Sequence, residues 1–198
     1  MTGFETDAPI RILRQPDYRV MPWKNGGGFT TEIAVFPEEG DLGSFDWRIS
    51  MAVVSTDGPF SAFPEIDRTL IVLEGKGMEL AVGGEPPVCL TPTSSPLPFP
   101  ADVATTARLV SGPITDLNIM TRRGRWTHRV ERRRIQGSLD LESSGDTLLV
   151  LALSPVLIGL DGGEPTPLDR LDCAIIAGKA VLRTQAPAEI CIIRLAAL

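Results

Sequence analysis

The chain has 198 residues, 43% of them hydrophobic and 22% charged, a length that fits one domain or two small halves sharing a core. It holds a single histidine, His128, so the multi-histidine sites typical of zinc, iron or copper cannot be built within one chain. Nineteen basic against 25 acidic residues give a net charge of −6, which argues against general binding to nucleic acid or to an anionic membrane surface.

Short apolar runs rich in Val, Ile, Leu and Thr read as strands at 10–14, 29–36, 47–54, 69–73, 78–82, 107–110, 116–122, 148–153, 156–160, 173–177, 180–183 and 190–195. Turn signals such as Gly75, Gly77, Gly83-Gly84 and Gly162-Gly163 separate them. Many short strands at this spacing predict a sandwich or barrel, and no long helical period interrupts them. The segment 86–100 carries six of the 17 prolines and reads as a rigid surface connection without strand. After Gly137 the runs are plainly aliphatic, so any chemistry is expected earlier in the chain.

Cys89, Cys173 and Cys191 lie far apart among apolar residues, with no CxxC spacing, and are expected to be buried thiols in a reducing cytosol. The first ten residues have no basic-then-apolar leader pattern, and the apolar stretch 147–160 is too short to cross a bilayer, so a cytoplasmic protein with no membrane partner is expected.

Three places combine polar side chains with strand or loop geometry suited to a ligand. Met21-Pro22-Trp23-Lys24-Asn25-Gly26-Gly27-Gly28 is neither a Walker loop nor a dinucleotide fingerprint; its glycines suit a tight connection or a close backbone approach, beside Trp23, Lys24 and Asn25. In Trp47–Val54 a period of two puts Arg48 and Ser50 on one face and Trp47, Ile49, Met51 and Val53 on the other. In 116–120 the same period groups Asp116, Asn118 and Met120 opposite Leu117 and Ile119. Alternation alone leaves two options for these polar faces, solvent or a barrel cavity, of which solvent is the commoner. Arg68 opens another apolar strand, and a partly buried arginine needs an acid or an anionic ligand. Pairing of Arg48 or Arg68 with Glu32 or Asp116 would satisfy that need structurally, whereas a carboxylate ligand would satisfy it functionally through a bidentate guanidinium fork.

No nucleophile–base triad is visible, and no catalytic residue is assigned. His128 sits in the segment Arg122–Arg134, which holds seven arginines and one glutamate and also contains Trp126. That segment reads as a charged, solvated edge strand, with recognition of nucleic acid as the alternative.

Taken together, Met21–Gly28 with Thr30 and Glu32-Ile33, Phe45–Ala52, Gly58-Pro59-Phe60-Ser61 through Phe63-Pro64, Ile66-Asp67-Arg68, Gly112-Pro113, and Asp116–Met120 with Arg122-Arg123-Gly124 resemble the HutD/Ves family of bacterial cupin-like proteins. Two positions depart from the pattern: Glu65 and Ala101 stand where glycine is expected. The resemblance implies an all-β, bicupin-like fold of the RmlC jelly-roll type, a double β-barrel with few or no helices. It makes 1–198 one unit of two packed barrel halves, with the motifs and a ligand pocket in about 1–124 and the strands completing the second barrel in about 125–198. It also implies a link to histidine utilisation and to a small acidic intermediate such as N-formylglutamate, in an accessory or regulatory role. Cupins usually hold metal on histidines that this chain lacks, so no metal and no cofactor are expected.

The expected partner is therefore a small carboxylate-bearing metabolite, met by Arg48 and Arg68. Lys24, Asn25, Ser50, Asp116 and Asn118 would supply further polar contacts, with Trp23 and Met120 as apolar wall. A homodimer is left open. An isomerase or hydrolase using Glu32 or Asp116 as general base near Lys24, and a nucleic-acid-binding regulator using Arg122–Arg134, are the alternatives.

Overall fold

The computed structural model describes residues 8–23, 28–38 and 43–198. In chain order the strands are β1 (Ile10–Leu13), β2 (Arg19–Pro22), β3 (Gly28–Phe36), β4 (Trp47–Val54), β5 (Gly58–Pro59), β6 (Ile66–Glu74), β7 (Met78–Val82), β8 (Val88–Leu90) and β9 (Leu97–Pro100). There follow β10 (Thr105–Leu109), β11 (Ile114–Arg122), β12 (Trp126–Glu142), β13 (Thr147–Ala152), β14 (Val156–Gly159), β15 (Thr166–Leu168), β16 (Cys173–Ile176) and β17 (Lys179–Ala197). A single 3₁₀ turn at Gln15–Asp17 is the only helical element among the described residues, and no helix is long and apolar enough to cross a membrane. The all-β expectation holds.

The chain divides into two compact units. One is built from Arg19–Thr127. Its six-stranded sheet runs β2-β3-β4-β11-β6-β9, and a four-stranded sheet, β5-β10-β7-β8, supplies its second layer. Residues of both sheets meet in one core, in which Ala52, Val54, Leu70 and Val72 share an interior with Met78, Leu80, Leu90 and Ala107. The other unit takes His128–Ala197 together with the strand β1, which pairs with β16. Its sheet runs β1-β16-β13-β17-β14-β15, with β12 also on β17, around a separate aliphatic core that includes Leu148, Val150, Ile158, Leu182 and Ile190. The 19-residue β17 makes this possible by pairing with β14 through its first half and with β13 through its second.

Strands β4, β6 and β11 are buried on both faces. On one face, Trp47, Ile49, Leu117 and Ile119 are fully buried, each burial contributing roughly 1.5–3 kcal/mol. Trp47 also stacks on Phe36 at 5.9 Å between centroids and meets the edge of Trp126 at 6.5 Å. The other face carries the polar residues.

Three local expectations need correction. Segment 86–100 is no plain connection: it contains β8 and β9, and β9 pairs antiparallel with β6. Its prolines are tolerated because β8 and β9 are edge strands of their sheets, where a missing N–H breaks no interior ladder. Cys89 lies on the edge strand β8 and is exposed, unlike Cys173 and Cys191, so apolar neighbours in sequence did not place it inside. The two runs 180–183 and 190–195 are parts of the single strand β17, and the arginine-rich β12, whose face is largely wet, has no apolar run to announce its 17 residues.

Candidate functional site

Inside the Arg19–Thr127 unit lies a cavity of about 650 Å³, a size that suits a small metabolite. Its polar wall is set by strand register. Across β4, β11 and β6 the ladders align Arg48, Met120 and Arg68 in one row, Ser50, Asn118 and Leu70 in the next, and Ala52, Asp116 and Val72 in the third. Because side chains alternate across a strand, all three rows present the same face, and that face turns inward. The polar faces of β4 and β11 thus take the less common of their two options: they line a cavity rather than solvent.

Two linked pairs hold the arginines. A bulge between Glu32 and Ala34 lets Glu32 pair with Ser50 while Val35 pairs with Arg48. Glu32 thereby accepts a charge-assisted bond from Arg48 Nε at 2.6 Å. Arg68 donates from Nε at 2.8 Å, and also from Nη2, to the single oxygen Asn118 Oδ1. The amide nitrogen of Asn118 then donates to Asp116 Oδ1 at 2.7 Å. Aromatic rings flank the Arg68 guanidinium, with Phe60 at 4.6 Å and Phe99 at 5.6 Å.

Burial shapes the electrostatics. Arg48, Arg68, Asp116, Asn118 and Ser50 are all buried. Loss of water pushes the Asp116 carboxyl up to about 6, against the pull of the Arg68 charge and of hydrogen bonds from Asn118 and the Ala52 backbone. The same cause lowers Arg68 to about 10, with Asp116 opposing the shift and Arg48 adding to it. Arg68 still carries its charge at neutral pH. Two buried polar atoms of this wall, Arg48 Nη2 and Asp116 Oδ2, have no hydrogen-bond partner among the described residues.

Of the residues singled out from sequence, Trp23, Arg48, Ser50, Arg68, Asp116, Asn118 and Met120 all line this cavity. Trp23 is fixed at the rim by a 2.8 Å bond from its indole N–H to Thr30 Oγ1. Met120 also packs with Val35, Phe45 and Ile66 in a small apolar cluster. Lys24 and Asn25 lie outside the described residues. Gly28 marks a close approach: a Cβ there would fall on the Val53 carbonyl oxygen.

Sequence reasoning passed over Phe60 and Phe99, the rings beside Arg68, together with Thr30 and Asp57 of the cavity lining. Phe60 stands inside a quoted motif, but nothing local says that a loop aromatic will meet an arginine eight residues on. Phe99 was hidden by the prolines around it.

The arginine-rich segment is largely engaged by its own protein. Arg123 bridges Asp67 and Asp102, Arg125 meets Asp46, Arg132 meets Glu189 and Arg133 meets Glu131. Arg122 donates to the carbonyl oxygens of Phe45 and Gly43. Trp126 is buried and tilted against Phe36 at 5.7 Å, so its face is not offered to a base.

Comparison with known proteins places this architecture. The HutD family model matches residues 15–192. The chain is 36% identical over 188 residues to an uncharacterized 21.2 kDa protein in the hutC 3′ region of Pseudomonas putida, covering 94% of this chain and 97% of the relative. A conserved protein of unknown function from Pseudomonas aeruginosa PAO1 superposes with a TM-score of 0.87 at 36% identity, over 96% of this chain and 100% of the other. HutD from Pseudomonas fluorescens SBW25 superposes with a TM-score of 0.80 at 32% identity, over 96% and 99% respectively. At the level of fold alone, salicylate 1,2-dioxygenase from Pseudoaminobacter salicylatoxidans, a cupin-fold protein, gives a TM-score of 0.62 at 10% identity, over 87% of this chain and 75% of the other.

Proposed function

The chain belongs to the HutD family and has a cupin-like fold, and we propose that its Arg19–Thr127 unit binds a small carboxylate-bearing metabolite. The supporting observation is Arg48: a buried guanidinium on the wall of a metabolite-sized cavity, with Nε committed to Glu32 and Nη2 without a partner among the described residues. Such a donor gains a partner when a carboxylate enters. Arg68, expected to share this work, is turned onto Asn118 and acts as a neighbouring charge that holds the polar network in place.

An acidic intermediate of histidine degradation, such as N-formylglutamate, fits this chemistry, and the role is accessory or regulatory rather than catalytic. Titration calorimetry with N-formylglutamate, glutamate and urocanate tests it. At least one should bind, and Arg48→Gln should weaken that ligand by roughly 10- to 100-fold, the worth of one charge-assisted hydrogen bond. Absence of binding by all of them, or an affinity unmoved by Arg48→Gln, would overturn the reading.

One observation favours a second reading. Asp116, raised to about 6, is poised for proton transfer near neutral pH. As a general base it would turn the bound acid over, which NMR of the ligand mixture would reveal as new resonances; a ligand that binds and stays unchanged excludes it.

A further inference from the structure

Besides Arg48 Nη2, the cavity wall holds a second buried polar atom without a partner among the described residues, Asp116 Oδ2. Buried polar atoms are nearly always paired, so two on one cavity wall point to groups that arrive with a ligand. They are opposite in kind: the first is a donor and the second an acceptor. Asn118 Nδ2 serves Oδ1 rather than Oδ2, and Arg68 is turned onto Asn118 Oδ1.

The spacing is also informative. Arg48 lies opposite Met120, and Asp116 stands four positions further along the same strand, about 13 Å between the two rows at the rise of an extended chain. The long arginine side chain covers part of that span, leaving room for several bonds of ligand.

We propose that the ligand has two poles, a carboxylate received by Arg48 Nη2 and, several bonds away, an N–H donor received by Asp116 Oδ2. Amide, ammonium or ring N–H groups all qualify, and an acid of the same shape without such a donor is discriminated against. This rests on the carboxylate-binding reading above and adds the second pole.

The experiment compares N-formyl-L-glutamate with its ester isostere, in which oxygen replaces the N–H, on the full-length protein. The amide should bind about 10- to 100-fold more tightly, because the isostere sets a lone pair against Asp116 Oδ2. Asp116→Asn, which keeps the shape, should erase most of that ratio. Equal affinities in the wild-type protein, or a ratio unchanged by Asp116→Asn, would overturn the second pole while leaving the carboxylate site standing. If neither compound binds, the second pole falls, and if glutamate and urocanate fail as well, the carboxylate-binding reading falls with it. A further readout needs no variant: in the wild-type complex, the N–H proton of nitrogen-15-labelled N-formylglutamate should shift downfield and exchange slowly, and an unshifted, rapidly exchanging proton would count against the proposal.

Discussion

Arg68 spends two of its nitrogens on one oxygen, the Oδ1 of Asn118, and the two residues sit one row apart on the neighbouring strands β6 and β11. Asn118 passes the link on to Asp116. The amide is therefore a neutral spacer between a buried cation and a buried anion: it accepts on one side through its oxygen and donates on the other through its nitrogen.

Removing that spacer should be expensive. Asn118→Ala leaves the Arg68 guanidinium and the Asp116 carboxylate buried with fewer partners, and urea denaturation should show a loss of about 1–3 kcal/mol. Arg68→Met, which leaves the Asp116 carboxylate buried without its countercharge, should cost more, about 3–5 kcal/mol.

Asp116 should make stability fall as pH rises. Its folded value, about 6, lies above the ordinary value of 3.8, so the folded state holds a proton that the unfolded chain has released. Its favourable contribution is complete below about pH 4 and is lost as pH rises through about 6. Arg68, lowered only to about 10, stays charged across this window and does not reverse the sign. In melts between pH 4 and 7, the wild-type protein should lose stability relative to Asp116→Asn across that window and run parallel to it above.

Gly28→Ala should disturb the β3–β4 ladder beside the cavity rim. The added methyl group would overlap the Val53 carbonyl oxygen, a backbone atom that cannot turn aside. A destabilisation of about 2–3 kcal/mol, measured by thermal or urea unfolding, is expected from forced backbone movement of this kind.

Glu65→Gly should do the opposite. Glu65 holds φ at 59°, in the left-handed region, and its carbonyl accepts the Arg123 amide at 2.8 Å, so the conformation is held from outside. Glycine adopts it without strain but has more freedom to lose on folding, which leaves a net gain of about 1 kcal/mol, readable as a higher melting temperature. The position was already marked in the sequence as glutamate where glycine is expected, and the dihedral angle supplies the reason.

Much of the site was legible because strand periodicity is local. Arg48 with Ser50, and Asp116 with Asn118 and Met120, were grouped correctly by counting in twos, since covalent geometry puts alternate side chains on the same face. Arg68 stood out as a charge at the head of an apolar run. What periodicity could not report was direction. Both faces of β4 and β11 are buried, so the usual signature of an inside and an outside is absent. Phe99 and the partners of the arginine-rich strand depended on residues far along the chain, and Cys89 depended on which strand of its sheet became an edge.

The sequence by itself determined the β class, the separation of apolar from polar faces strand by strand, the exclusion of a multi-histidine metal centre, and the family, because each follows from residue type and short-range spacing. Only the tertiary structure decided that Arg48 faces Glu32, that Arg68 is occupied by Asn118, and that one atom each of Arg48 and Asp116 has no partner among the described residues. These are consequences of register between strands distant in sequence, and a shift of one residue in any ladder would have turned the same side chains to the opposite face.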